Sequence, residues 1–224
     1  PNFHGGIREA YGLKSLSDRD LLKIRAVYYG QVSYVDWLLG ELLEAVDRTN
    51  HTKDTTVICL SDHGDYTGDY GLVEKWPSGL EDVLTHVPLI MRVPGGATGI
   101  NSQEMVELYD VMQTCLDLTG PQERPPPFSR SLIPQISGKP GDPARAAFCE
   151  GGYNVYEPQC FEPAGAGGGP YARKISLQNE RPEMISRSAM VRTRDAKLIV
   201  RPTGQNEFYS YKTDPQEREN LYGQ

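Results

Sequence analysis

Residues 55–86 hold the feature that most limits what this chain can become. A short apolar run, Val57-Ile58-Cys59-Leu60, stops abruptly at Ser61-Asp62-His63-Gly64. The run is short and rich in β-branched residues, which fits a strand buried on both faces. An acid and an imidazole at the carboxyl end of such a strand sit where open α/β sheets place their ligand sites. A polar stretch with several glycines follows, through Asp65, Asp69 and Glu74-Lys75, before a second apolar run at 87–93. The segment reads as strand, polar active loop, strand.

A carboxylate and a neutral imidazole both ligate divalent cations. Oxygen suits Ca²⁺ or Mg²⁺, and mixed nitrogen and oxygen suits Zn²⁺ or Mn²⁺. Adjacent residues reach one ion only if the backbone leaves the strand there, and Gly64 makes that bend cheap. A hard cation takes about six oxygens or more, so Asp62 and His63 would need ligands from elsewhere. The plainer reading of the pair is a strand-end cap beside a solvated imidazole. Taken alone, Lys75 is a solvated surface charge, and Asp65 and Asp69 are loop hydrogen-bond acceptors.

The rest of the chain sorts into a helical half and a broken one. Residues 1–16, with Gly5-Gly6 and Gly12, predict irregular chain. Ser17-Asp18-Arg19-Asp20 is a helix start, with Ser17 as cap and acids in the first turn. Leu21, Ile24, Tyr28, Val32, Val35, Leu42 and Val46 then recur at three- and four-residue steps. They predict one long amphipathic helix to about Asp47, packed on a sheet, with Gly30 and Gly40 as places of close contact. A second helix is predicted over 104–118, stopped by Gly120-Pro121. Residues 121–170 hold ten prolines and eight glycines, so they predict loops, with a short strand at 146–150 and a flexible tip at 164–169. Strands at 188–193, 197–201 and 207–211 follow, the first two joined by a tight turn at Asp195-Ala196. A terminal turn or short helix begins at Asp214-Pro215.

Composition narrows the function. The formal net charge is −7 and no basic stripe is visible, which argues against a nucleic-acid surface. No apolar run approaches the roughly 20 residues that span a bilayer. The four cysteines show no CxxC spacing, so a structural zinc site is not expected. Cys59 and Cys115 read as buried thiols, whereas Cys149 and Cys160 lie in loop-rich sequence where they could pair. Asn50-His51-Thr52 is a glycosylation sequon, meaningful only in a secreted eukaryotic protein.

The segments SDHG, GDYGLVEK and THVPLIMRVPG together resemble the sulfatase family, within the alkaline phosphatase superfamily. The resemblance implies an α/β fold: part of a sulfatase-type sheet sandwiched by helices, plus a small C-terminal antiparallel sheet with a helix. It divides the chain into a catalytic portion over 1–128, a crossing segment over 129–170 and a C-terminal subdomain over 171–224. It implies that Asp62 and His63 ligate the active-site metal, usually Ca²⁺, with Mg²⁺ or Mn²⁺ possible. Lys75 matches the lysine that contacts the sulfate, and His86 the histidine or arginine that lines the site or holds its loop. Asp110 matches a position read as structural. The substrate implied is a small-molecule or glycan sulfate ester, and the setting is secreted, periplasmic or lysosomal rather than cytoplasmic.

The same resemblance shows what this sequence does not contain. The family's nucleophile, a formylglycine, matures from a Cys or Ser in a C/S-x-P/A-x-R motif. The cysteines here read CLSDH, CLDLT, CEGGY and CFEPA. The chain therefore reads as the C-terminal half of a sulfatase, either a fragment or one polypeptide of a processed enzyme. Its expected partner is the N-terminal half of the same protein, which would supply the nucleophile and the remaining metal ligands. Alone it is expected to be inactive. A phosphonate or phosphodiester hydrolase of the same superfamily is the nearest alternative, and a non-catalytic module binding a sulfated ligand is another.

Overall fold

A computed structural model of the chain describes residues 2–120, 129–154, 156 and 172–224. The opening residues, predicted irregular, form helix α1 (Asn2–Ala10) and a 3₁₀ turn, Leu13–Ser15. Tertiary contact overrides the poor helix propensity of Gly5 and Gly6. Ile7 is buried in the core, and His4 Nε2 lies 2.7 Å from Glu81 Oε1.

Helix α2 (Asp18–Arg48) begins where the sequence places it. The Ser17 hydroxyl accepts from Asp20 N–H while the Asp20 carboxylate accepts from Ser17 N–H. Two donors of the first turn are thereby satisfied. The expected packing on a sheet does not follow. Among the described residues α2 has none buried, and Val27, Val32, Val35, Trp37 and Leu42 are each more than half exposed. Gly30 and Gly40 face open space rather than a close neighbour. The helix is held instead at two polar points. Arg25 reaches Asp69 Oδ1 at 3.0 Å, and Asp47 lies 3.6 Å from Arg92.

Strand β1 (Val57–Leu60) pairs antiparallel with β2 (Leu89–Arg92), Leu60 opposite Leu89. The sequence predicts burial on both faces, yet Leu60 is 43 % and Ile90 61 % exposed. Among the described residues β1 and β2 form a two-stranded ribbon with an unpaired edge on each strand, and Leu60 and Ile90 stand on parts of its faces that nothing covers. Between them lies the short helix α3 (Asp82–Thr85).

Helix α4 (Asp110–Thr119) starts six residues later than predicted and ends on Gly120 in the left-handed conformation. The delay has a cause in Asp110. Its fully buried carboxylate accepts from Glu107 N–H at 2.8 Å and Arg130 N–H at 2.9 Å, and Arg145 Nη1 lies 2.7 Å away. This cluster holds 107–110 as a turn. Helix α5 (Ile133–Ile136) is a single turn.

Strands β3 (Ala147–Gly151), β4 (Ser188–Arg192), β5 (Ala196–Val200) and β6 (Glu207–Ser210) form an antiparallel sheet in chain order. The β4–β5 turn lies on Arg194-Asp195, one residue before the predicted pair, with Thr193 N–H donating to Ala196 O. The tail after Asp214 makes turns only, fastened by Leu221 N–H on Phe208 O. Helix α6 (Ala172–Glu180) and the 3₁₀ turn Pro182–Ile185 were not legible in the sequence, yet both enter the core. The expected tip at 164–169 and the pairing of Cys149 with Cys160 fall on residues outside those described. Cys59, Cys115 and Cys149 are partly buried thiols.

The main core joins Ile7, Tyr66, Leu72, Trp76, Leu84, Leu177, Met184 and Ile185. A second cluster joins Leu80 to Met190, Ile199 and Tyr209 of the sheet. Lys197 sits beside it, fully buried, with Nζ 2.6 Å from both Asp82 Oδ1 and Glu217 Oε1 and donating to Leu80 O at 2.9 Å. Removing the cation leaves the Glu217 carboxylate buried without its counter-charge, while Asp82 keeps Arg192 at 3.2 Å. Lys197→Ala should therefore cost roughly 3–5 kcal/mol in urea unfolding. Adding Glu217→Gln should recover part of that loss, and an equal loss in both variants would contradict the charge argument.

Candidate active site

The loop from Ser61 to Pro88 is the densest part of the molecule, although it carries little regular structure. Gly64 is required, but for room rather than for its bend. A Cβ there would lie 1.9 Å from Val83 O, while Gly64 N–H donates to Leu84 O at 2.9 Å. Three non-glycine residues hold left-handed backbone: Thr67 (φ 47°), Tyr70 (φ 56°) and Glu74 (φ 64°). Such conformations cost of order 1–3 kcal/mol each and persist only where surrounding contacts impose them. Here Tyr66, Leu72, Trp76, Leu80 and Leu84 are all almost wholly buried. Trp76 Nε1–H and Ser78 Oγ–H both donate to Met184 O, each at 2.7 Å, which ties the loop to the C-terminal half. As expected, Asp65 and Asp69 are acceptors, from Thr67 N–H and Arg25 respectively.

Glu81 braces the loop from beneath. Its carboxylate is fully buried, with His4 Nε2 at 2.7 Å and the Tyr66 hydroxyl donating at 2.8 Å. Burial opposes its ionisation, but the bonds from His4 and Tyr66 outweigh that and hold its pKa at about 2. Burial, followed by the Glu81 charge and hydrogen bond, pushes the Tyr66 phenol far above its usual range. The pair is therefore a carboxylate and a neutral phenol across the physiological range.

Above this base opens a cleft of about 1350 Å³. All four residues singled out in the sequence, Asp62, His63, Lys75 and His86, line it. Asp62 and His63 leave the end of β1, Lys75 follows the strained Glu74, and His86 ends α3. Asp62 Oδ2 lies 3.6 Å from His63 Nε2. His63 Nδ1 is 2.8 Å from Gly64 O, a pure acceptor. Nδ1 must therefore carry the proton, and in the neutral ring Nε2 keeps its lone pair on the Asp62 side. A donor pair so spaced and so oriented suits two ligands of one cation with bonds near 2.0–2.6 Å. Among the described residues no group of three or more His, Cys, Asp or Glu could hold an ion.

The cleft also contains residues that motif reading passed over. Lys174 and Gln178 come from α6, and Glu107, Tyr109 and Cys149 from the opposite wall. Burial, then the Glu107 hydrogen bond and charge, push Tyr109 up to about 12, so it stays a neutral phenol. Burial likewise raises the Cys149 thiol, which makes it a poor nucleophile near neutrality. Helical periodicity was the one sequence signal for Lys174, and the nine residues of α6 are too few to make it plain.

The chain and its fold are similar to those of known proteins. Residues 6–121 match the family model described as Sulfatase. The chain is 33 % identical over 121 residues to arylsulfatase K of Danio rerio, a stretch covering 54 % of this chain and 23 % of that protein. It is 32 % identical over 126 residues to the choline-sulfatase of Rhizobium meliloti strain 1021, covering 55 % and 24 %. The structure is similar to the phosphonate monoester hydrolase of Agrobacterium radiobacter, with a TM-score of 0.74 and 26 % identity over 92 % of this chain and 38 % of that one. The chain thus spans about a quarter of the length of the curated relatives it matches.

The depressed pKa of Glu81 sets a pH dependence. Its contribution to stability is complete above about pH 4.5, its ordinary value, and is lost as pH falls toward about 2. Thermal unfolding of Glu81→Gln should consequently show a weaker decline than the parent between those pH values. Parallel curves would mean that the His4 and Tyr66 bonds do not favour the ionised carboxylate.

Proposed function

The chain belongs to the sulfatase family, and we propose that it carries the C-terminal part of the active site of a sulfuric ester hydrolase. The observation that carries this reading is the convergence of Asp62, His63, Lys75 and His86 on one cleft. Asp62 and His63 hold a divalent cation, Ca²⁺ by family and Mg²⁺ or Mn²⁺ as substitutes, completed by ligands from outside this chain. Such a cation neutralises charge on sulfate oxygens. Lys75 presents a compact positive charge to a sulfate oxygen or to the departing oxygen, where charge grows in the transition state. His86, exposed at the rim, orients the ester or passes a proton to its alcohol. The nucleophile, a formylglycine by family, and the remaining ligands belong to the N-terminal half of the same protein. The exposed apolar stripe of α2 and the uncovered residues Leu60 and Ile90 give that half a face to pack on. The substrate is a small-molecule or glycan sulfate ester.

A second reading, phosphonate or phosphodiester hydrolysis, is favoured by the likeness to the phosphonate monoester hydrolase. Both ester classes present a tetrahedral anion to the same cation and lysine. The two are separated by turnover of 4-nitrophenyl sulfate against 4-nitrophenyl phenylphosphonate, using the protein that contains this chain with Ca²⁺, Mg²⁺ or Mn²⁺ supplied. Faster sulfate turnover is expected. Lys75→Ala should lower kcat by about 10²–10³-fold, as for loss of one charge-stabilising donor. Asp62→Ala should abolish turnover together with bound metal. Full activity in Asp62→Ala, or no turnover of either ester with any of the cations, would overturn the reading.

A further inference from the structure

Lys174 is a buried lysine whose ammonium is spent on the residues around Lys75. Its side chain is 10 % exposed, which is costly for a cation unless it is paired. Nζ donates to the carbonyl oxygen of Lys75 at 3.0 Å, across 99 positions of sequence. It lies 3.7 Å from Glu74 Oε2 and 5.9 Å from the centre of the Trp76 ring. One ammonium therefore bonds the middle of three consecutive residues and faces the carboxylate and the ring of the two beside it. The first of these holds left-handed backbone at φ 64°, a conformation that needs outside contacts to persist. The loop's other ties flank the same point. Tyr66 N–H donates to Glu74 O and Gly79 N–H to Trp76 O, each at 3.0 Å.

We infer that Lys174, on α6, is a positioning residue that clamps the strained 74–76 turn and so aims Lys75 into the cleft. The carbonyl contact fixes the backbone of Lys75. The Glu74 and Trp76 contacts stop the turn from rotating about that bond. A neutral side chain at 174 would leave the Lys75 carbonyl without this donor and the Glu74 carboxylate without its cation. The turn could then relax toward ordinary backbone and carry Lys75 with it. The role of Lys75 in turnover rests on the functional reading above, whereas the clamp itself does not.

The test compares Lys174→Met and Lys174→Arg with the parent by amide hydrogen exchange and by turnover of the two nitrophenyl esters. Loss of one charge-assisted bond should speed exchange of the Tyr66 and Gly79 amides roughly 10- to 100-fold in Lys174→Met. Exchange in β4 and β5 should be unchanged, and Lys174→Arg should restore protection. Turnover in Lys174→Met should fall by about 10²-fold in kcat with little change in KM, again restored by arginine. Unchanged exchange at Tyr66 and Gly79 would overturn the clamp. Faster exchange throughout the sheet would also overturn it, since Lys174 would then support the fold at large. If the exchange pattern appears while the parent hydrolyses neither ester, the clamp stands and the sulfatase reading fails.

Discussion

The structure depends on burial of a loop that cannot hold itself. Between β1 and β2 the chain makes almost no ladder of its own, and three of its non-glycine residues sit in left-handed backbone. What holds it is apolar burial from both sides in sequence. Ile7 of α1 lies on one side, and Leu177, Met184 and Ile185 lie on the other. Apolar burial is non-directional, so by itself it would leave the loop compact but slack. Direction comes from the hydrogen bonds to Met184 O and from the Lys174 ammonium on Lys75 O.

Buried charge is the second organising theme. The buried Glu81, Asp110 and Glu217 and the partly buried Asp82 each meet a donor or cation drawn from a distant segment. These pairings run from α1 to the loop, from the loop and the C-terminal tail to the sheet, and from α4 to the stretch leading to β3. They specify which segments meet more than they add stability, because desolvation of each ion offsets much of its attraction. The C-terminal sheet thus meets the cleft twice: β3 lines it, and Lys197 on β5 grips the start of α3, whose C-cap is His86.

Much of this was legible in local sequence. The Ser17 cap, both strands flanking the loop and all four strands of the C-terminal sheet show in the local residue pattern. So does the break at Asp62-His63. The start of α4 was missed because the Asp110 carboxylate binds Glu107 N–H and the distant Arg130 N–H, which holds the preceding residues in a turn. Helix α1 was missed because two glycines hide it until Ile7 and His4 find their partners. Helix α6 was missed because nine residues give too short a periodic signal.

The sequence by itself determined the chemistry on offer: a carboxylate and an imidazole at a strand end, a lysine twelve residues beyond the imidazole, and a histidine before the next strand. Residue type and short spacing are local properties, so they can be read without a fold. Only the tertiary structure decided that these four side chains line one cleft. It also decided that a lysine nearly a hundred positions downstream holds the turn before Lys75. Those outcomes depend on which distant carbonyls and carboxylates come within about 3 Å, and no short window of sequence contains both partners.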